Sequence, residues 1–138
     1  MEQLNRSELR KKIMTILYQM IVYEKNKMVY EVEDVIKENL DIDNEFVKDI
    51  VYGVITYQND IDALANKYLN NWTIDRLGNT DIAILRMGIY ELLYTDTPDI
   101  VCINEAIVLA KDYSDDEVAK MINAVLDKIY KNKVDHEW

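Results

Sequence analysis

The segment from Ile82 to Leu93 constrains the fold more than any other part of this chain. Its residues are apolar on nearly every side of a helical wheel, and only Arg86, Tyr90 and Glu91 interrupt it. A helix that is apolar all round has to be surrounded by other helices, because a surface helix keeps one polar face. A charged side chain in such a place needs a partner or a route to solvent. The segment therefore predicts a central, buried helix with a few polar side chains that reach a partner or solvent.

Turn-forming residues are too scarce for a β-rich fold. The 138 residues include three glycines and one proline, whereas short strands need frequent turns. Hydrophobic residues make up 49% of the chain and charged residues 30%, so there is enough apolar surface to form a core. Length and composition together predict one all-α domain that spans residues 1–138.

Apolar residues spaced three and four apart predict seven helices and no strands. A reset of this pattern at Asn59-Asp60 divides the third helix from the fourth. Side chains that can cap helix starts are expected at Asp43 or Asn44, at Thr80 and at Ser114. The central helix is expected after Thr80, and the other six lie near residues 6–23, 29–40, 47–55, 61–69, 103–113 and 115–130.

Residues that usually carry catalysis or hold a metal are nearly absent. The chain has one histidine, His136, and one cysteine, Cys102. A thiol nucleophile needs a base beside it and zinc needs closely spaced ligands, so neither site is expected. We therefore expect no enzyme activity, no metal and no cofactor. A lone cysteine excludes an intrachain disulfide, and no apolar run resembles a signal peptide or membrane span, which favours a cytoplasmic location.

The charge is unevenly distributed along the chain. The net charge is −10 at pH 7, and residues 31–62 hold ten acidic side chains against two basic ones. Residues 1–12 instead hold four basic side chains against two acidic ones. Attraction to phosphate acts over roughly 8–10 Å at physiological salt. A basic end on an acidic body can therefore bind RNA locally, although the acidic body by itself indicates only a soluble surface.

Several motifs together resemble the NusB family of transcription antitermination factors. They are LRMGIYEL and INEAIVLAK, with NWTIDRL and INAVLDKI beside them and the basic head RSELRKKIMTILYQ. The resemblance implies an all-α fold of seven helices in two three-helix subbundles. It also implies binding of boxA-type single-stranded RNA together with the small-subunit ribosomal protein NusE. That complex modifies the elongating RNA polymerase, chiefly on ribosomal RNA operons.

Candidate RNA ligands are cations and one aromatic residue, because single-stranded RNA is held by charges on its phosphates and by rings on its bases. The basic start of the first helix supplies Arg6, Arg10 and Lys11, the two arginines being four positions apart on one helix face. The resemblance adds Tyr68, which could equally be a half-buried packing residue. Three further cations are candidates. Arg86 could instead be an ion-pair partner, and Lys111 and Lys120 could instead be ordinary exposed lysines.

The resemblance places the protein partner on one flank of the first helix and at the start of the central one. It implies contacts from Tyr18 and Asp81, with Tyr90 and Glu91 as weaker neighbours. An acidic flank suits a basic ribosomal protein, because complementary charge speeds encounter and fixes register. Structural roles stay open for both leading residues, since Tyr18 could pack in the core and Asp81 could stabilise a helix dipole.

A second interpretation is a helical interaction module that pairs with itself or with another protein and binds no RNA. The apolar residues Val22, Met28 and Tyr30 would then form a homodimer surface. The two interpretations differ in what covers the first helix, which is RNA in one case and a second copy in the other.

Overall fold

The computed structural model describes residues 4–135, and their side chains as far as Lys133. Within this range the chain forms six α-helices, one short 3₁₀ helix and no strand. They are α1 (Arg6–Lys25), α2 (Val32–Asn39), α3 (Glu45–Tyr68), the 3₁₀ helix (Ile74–Arg76), α4 (Asn79–Tyr94), α5 (Asp99–Tyr113) and α6 (Asp116–Asp135). The predicted all-α class is confirmed, whereas the structure has six α-helices where the sequence predicted seven helices. None of the described helices combines the length and apolar character needed to cross a membrane.

The third and fourth predicted helices are two segments of α3 that are joined across a kink. Its backbone leaves helical geometry only at Tyr57, with φ −107° and ψ 16°, where the helix kinks. Buried residues continue across the kink from Val54 to Ile61, which are about two turns apart. The polar pair Asn59-Asp60 lies on the exposed side. The predicted division thus corresponds to a kink two residues before Asn59, and the chain continues as a helix beyond it without an intervening loop.

Side-chain caps define the starts of α1 and α3. Asn5 accepts a hydrogen bond from the backbone N–H of Glu8 at 2.8 Å, and Glu8 accepts one from the N–H of Asn5 at 3.4 Å. This reciprocal capping box satisfies two backbone donors at the start of α1. Asn44 caps α3 by accepting from the N–H three residues later, as one of the two predicted alternatives requires.

Three other predicted helix starts differ from the structure. Asp115, and not Ser114, caps α6, because its side chain reaches the N–H three residues later at 2.8 Å. α4 begins after Gly78 without a side-chain cap, so Thr80 lies inside the helix. α5 begins at Asp99, directly after Pro98 and earlier than predicted.

The central helix that the sequence predicts is α4. Every residue from Ile82 to Leu92 except Arg86 is buried. α1, α3, α5 and α6 all pack against α4, whereas α2 packs against α1. Gly88 lets α5 and α6 come close, since a Cβ there would lie 3.3 Å from a methyl group of Leu126. The helices α1–α3 and α4–α6 thus meet along α4.

The polar side chains in the middle of α4 all have partners on other helices. Glu91 accepts two hydrogen bonds from Arg10 of α1, at 2.9 Å from Nε and 2.5 Å from Nη2. Arg86 donates to both carboxylate oxygens of Asp62 in α3, each at 2.9 Å. The hydroxyl of Tyr90 also donates to a carboxylate of α3. The expectation that charged residues in this helix need partners is therefore confirmed.

Replacing Arg10 by alanine should destabilise the fold by about 3–5 kcal/mol, because Glu91 would keep a buried charge without a partner. Arg6→Ala is the matched control, since Arg6 lies one turn earlier on the same helix and is exposed. Its loss should lower the free energy of unfolding by no more than about 1 kcal/mol. Urea denaturation followed by circular dichroism measures the free energy of unfolding of both variants. Equal losses in the two variants would show that the buried pair is not special.

Gly53→Ala should also destabilise the protein, although alanine normally favours a helix interior by about 0.5–1 kcal/mol. Gly53 lies in α3, where a Cβ would overlap the ring of Tyr90. Displacing that ring should cost about 1–3 kcal/mol, as overpacking generally does. Thermal denaturation measures the change. Adding Tyr90→Leu should make the combined loss smaller than the sum of the single losses, and a Gly53→Ala protein more stable than its parent would contradict the packing described.

Candidate nucleic-acid interface

Arg6 is an exposed cation at the start of α1. Its guanidinium lies 4.2 Å from the centre of the Phe46 ring, in the first turn of α3. Stacking on a ring orients a guanidinium while its N–H donors stay available. Among the side chains described, no carboxylate forms an ion pair with Arg6. Arg6 is therefore oriented and free to bind an anion.

Arg10 and Glu91 have different roles from those the sequence suggested. Arg10 is 3% exposed and Glu91 2%, and Arg10 also lies 3.2 Å from Glu105 of α5. Burial alone would lower the pKa of Arg10, but its bonds to Glu91 and the charges of both carboxylates outweigh burial and raise that pKa. The pair holds α1 against α4. Neither residue presents a group to RNA or to a protein partner in this structure.

Lys11, Lys111 and Lys120 are exposed, as RNA contacts require. Lys11 lies at the same end of α1 as Arg6, whereas Lys111 and Lys120 flank the turn between α5 and α6. Ser7 donates a 2.6 Å hydrogen bond to Glu105, so the start of α1 lies beside the middle of α5. Lys111 follows Glu105 by about 9 Å along that helix. Lys111 therefore lies about two turns of α5 from the start of α1, and RNA contacts from Lys111 and Lys120 stay predictions.

Tyr68 and Arg86 lie away from the start of α1. Tyr68 is the last residue of α3, half-buried, with the Nζ of Lys67 5.3 Å from its ring centre. Phe46, which contacts the start of α1, is at the other end of α3, roughly 30 Å of helix away. Arg86 is occupied by its carboxylate partner Asp62. The structure thus does not bring either residue together with Arg6, and an RNA contact from them stays a prediction.

Two of the four predicted partner residues are accessible. Tyr18 of α1 is 39% exposed, and Asp81 in the first turn of α4 is half-buried. Tyr90 is 5% exposed and donates a 3.0 Å hydrogen bond to Asp49. Burial, that bond and the charge of Asp49 raise the pKa of Tyr90 to about 12. Tyr90 and Glu91 are therefore core residues, and a partner contact at Tyr18 and Asp81 stays a prediction.

An open groove of about 740 Å³ adjoins the start of α1. Its walls come from α1, from the first turns of α3 and from the connection between α4 and α5. Arg6, Phe46, Tyr94 and Pro98 line it, so cationic, aromatic and apolar groups face the same space. The groove is a concave surface that the sequence does not reveal, and four carboxylates line it as well.

Three aromatic residues at or beside the groove were not predicted from the sequence, namely Phe46, Tyr57 and Tyr94. Phe46 supports Arg6, and the rings of Tyr57 and Tyr94 stack 4.4 Å apart. The one available signal is that Phe46, Gly53 and Tyr57 are spaced seven and four apart, which puts them on one face of a helix. Nothing in the local pattern shows that the start of α1 and the connection between α4 and α5 meet the start of α3 there.

The described residues offer little for catalysis. Within residues 4–133, no group of His, Cys, Asp and Glu side chains could hold a metal ion. Cys102 is buried, and burial raises the pKa of its thiol to about 12, so the nucleophilic thiolate does not form near neutral pH. His136 lies outside the described residues.

Comparison with known proteins gives a match over nearly the whole chain. Residues 7–131 match the NusB family. The transcription antitermination protein NusB of Macrococcus caseolyticus is 41% identical over 132 residues, which cover 94% of this chain and 99% of that protein. The protein of the same name from Staphylococcus aureus is 40% identical and covers 93% of this chain and 100% of its own length.

Solved structures share the fold as well. NusB of T. maritima superposes with a TM-score of 0.81 at 30% identity, covering 94% of this chain and 93% of that one. A structure of the antitermination factors NusB and NusE in complex with dsRNA gives a TM-score of 0.76 at 26% identity, covering 92% of this chain and 96% of that one. Sequence and fold agree over the same helices, and this chain therefore belongs to the NusB family of transcription antitermination proteins.

Proposed function

We propose that this chain is a transcription antitermination factor that binds boxA-type single-stranded RNA together with the ribosomal protein NusE. The assembly acts on elongating RNA polymerase in the cytoplasm, chiefly on ribosomal RNA operons. Residues 1–138 serve as one binding domain, without a cofactor or a catalytic step. The observation that carries the proposal is the family match over residues 7–131, joined to the fold of NusB in its complex with NusE and dsRNA.

Arg6 and Lys11 are the cations that best support an RNA contact. Both are exposed in the first turns of α1, and Phe46 orients the Arg6 guanidinium. The positive end of the α1 dipole adds to their attraction for phosphate. Arg10 contributes indirectly, because its bonds to Glu91 fix the helix that carries them. RNA is therefore expected to approach the N-terminal end of α1.

Tyr18 and Asp81 support a neighbouring contact with NusE. Lys11 and Tyr18 are seven residues apart on α1, which places them on one face of the helix about 10 Å from each other. RNA and protein would therefore bind next to one another along α1. Two ligands that also touch each other bind cooperatively, and the coupling strengthens both by the same factor. The affinity of a weak RNA site on an acidic protein is raised most by such a partner.

Replacing Arg6 and Lys11 together by glutamine should weaken binding of a boxA-type oligonucleotide about tenfold, because two phosphate contacts are lost. The slope of log affinity against log salt should fall by about 0.7 for each lost contact. Fluorescence anisotropy of labelled RNA with NusE present measures both quantities. The matched control is Lys37→Gln with Lys128→Gln, which removes the same charge from exposed positions on other helices.

Equal weakening in the control variant would indicate a non-specific charge effect and contradict the proposed RNA surface. Unchanged RNA affinity in the Arg6 and Lys11 variant would contradict it as well. A stable homodimer that retains no RNA at low salt would instead support the interaction module.

Tyr18→Ala should weaken NusE binding at least about tenfold in the absence of RNA, because an exposed tyrosine at an interface commonly contributes that much. Isothermal titration calorimetry measures the affinity. Tyr113→Ala is the control, since Tyr113 is 48% exposed at the far end of α5 and outside the proposed contact. An unchanged NusE affinity for Tyr18→Ala would place the partner elsewhere.

A further inference from the structure

Three tyrosine rings form a stack where α3 passes the end of α4. The ring of Tyr94 lies 4.4 Å from that of Tyr57 and 5.2 Å from that of Tyr90, with interplanar angles of 12° and 21°. Tyr90 is 5% exposed, whereas Tyr57 and Tyr94 are each 40% exposed. The two outer rings, which we call the tyrosine platform, therefore offer aromatic surface to solvent.

The platform rests on a fixed base. The Tyr90 ring packs directly against Gly53 of α3, and its hydroxyl is held by Asp49. Tyr57 lies at the kink of α3, where the non-helical backbone aligns its ring with that of Tyr94. A surface that is already ordered loses little conformational entropy when a ligand binds it.

Carboxylates surround the tyrosine platform. Asp49 lies at the hydroxyl of Tyr90, and Asp96 lines the groove next to Tyr94. Asp60 follows Tyr57 by three residues on α3, which makes the two side chains neighbours on the helix surface. Burial and then the charge of Asp60 raise the pKa of Tyr94. Among the side chains described, none of these three acids forms an ion pair. The platform therefore lies beside three carboxylates that no ion pair neutralises.

The same groove already contains an arginine stacked on an aromatic ring. At its other wall, Arg6 lies 4.2 Å from the centre of the Phe46 ring. Arg10 lines the groove too, but Glu91 and Glu105 neutralise it. A phosphate chain would be repelled at the platform by its acids, whereas a guanidinium would be attracted by both the rings and the carboxylates.

We propose that the tyrosine platform is a second protein-docking site, which takes an arginine-bearing basic segment of a partner polypeptide. An arginine side chain lies flat on the exposed face of Tyr94 or Tyr57 and donates hydrogen bonds to Asp60 or Asp96. This site does not depend on the RNA proposal.

The platform is also separate from the proposed NusE contact. Asp81 and Tyr94 stand in the first and last turns of α4, about 20 Å apart along the helix. Tyr18 lies on the outer face of α1, and the platform belongs to α3 and α4. A partner at the platform could therefore bind while NusE occupies Tyr18 and Asp81.

The test is a titration of the ¹⁵N-labelled full chain with the peptide acetyl-Arg-Gly-Arg-Gly-Arg-amide, followed by two-dimensional NMR. The largest shifts are expected at residues 57, 60 and 94–97. Tyr94→Leu keeps an apolar side chain but removes the ring face, and should weaken binding about fivefold or more. The same peptide with lysine in place of arginine should bind more weakly, because an ammonium cannot stack flat on a ring.

Charge variants make the test independent of any packing defect in Tyr94→Leu. Asp60→Asn with Asp96→Asn should weaken peptide binding about fivefold or more, whereas Asp34→Asn with Asp112→Asn, at exposed positions elsewhere, should change it less than about twofold. Equal losses in the two double variants, or shifts centred away from the platform, would overturn the proposal. An oligouridine of eight nucleotides that shifts the same residues would overturn it too, because the site would then accept phosphate.

Discussion

The buried ion pair between Arg10 and Glu91 is the contact on which the rest of the arrangement depends. Two charges in the protein interior are tolerated only when they are paired and hydrogen-bonded, so α1 has to sit on α4 where this pair can form. Once α1 is fixed there, its first turn meets Phe46 of α3 and its outer face carries Lys11 and Tyr18. The proposed contacts of α1 with RNA and with NusE follow from that single register.

The two arginines at the start of α1 have different roles, because one stabilises the fold and the other is available for binding. Arg6 and Arg10 lie one turn apart, yet the first is exposed over an aromatic ring and the second is enclosed by two carboxylates. An acidic protein of net charge −10 can still attract RNA, because screening limits its overall repulsion to short range. The local cations then decide where phosphate is bound. On the opposite side of the groove, unpaired acids beside Tyr94 favour a basic ligand instead.

The all-α class, the buried central helix and the family resemblance could be predicted from the sequence, since each rests on a local pattern of residues. It could not be predicted that α3 kinks at Tyr57 without an intervening loop, because an exposed pair such as Asn59-Asp60 looks the same on a helix and in a turn. The burial of Arg10 could not either: its partner Glu91 is 81 residues away along the chain. Periodicity assigns a residue to a face of its helix, but only the packed neighbours determine whether that face is covered.

A crystal structure of the chain bound to NusE and boxA-type RNA tests the central claim most directly, namely that the arginines of α1 have separate roles. In that structure, we expect phosphate oxygens at Arg6 and Lys11, with Arg10 still hydrogen-bonded to Glu91. An Arg10 side chain that has left Glu91 to bind a phosphate would contradict it.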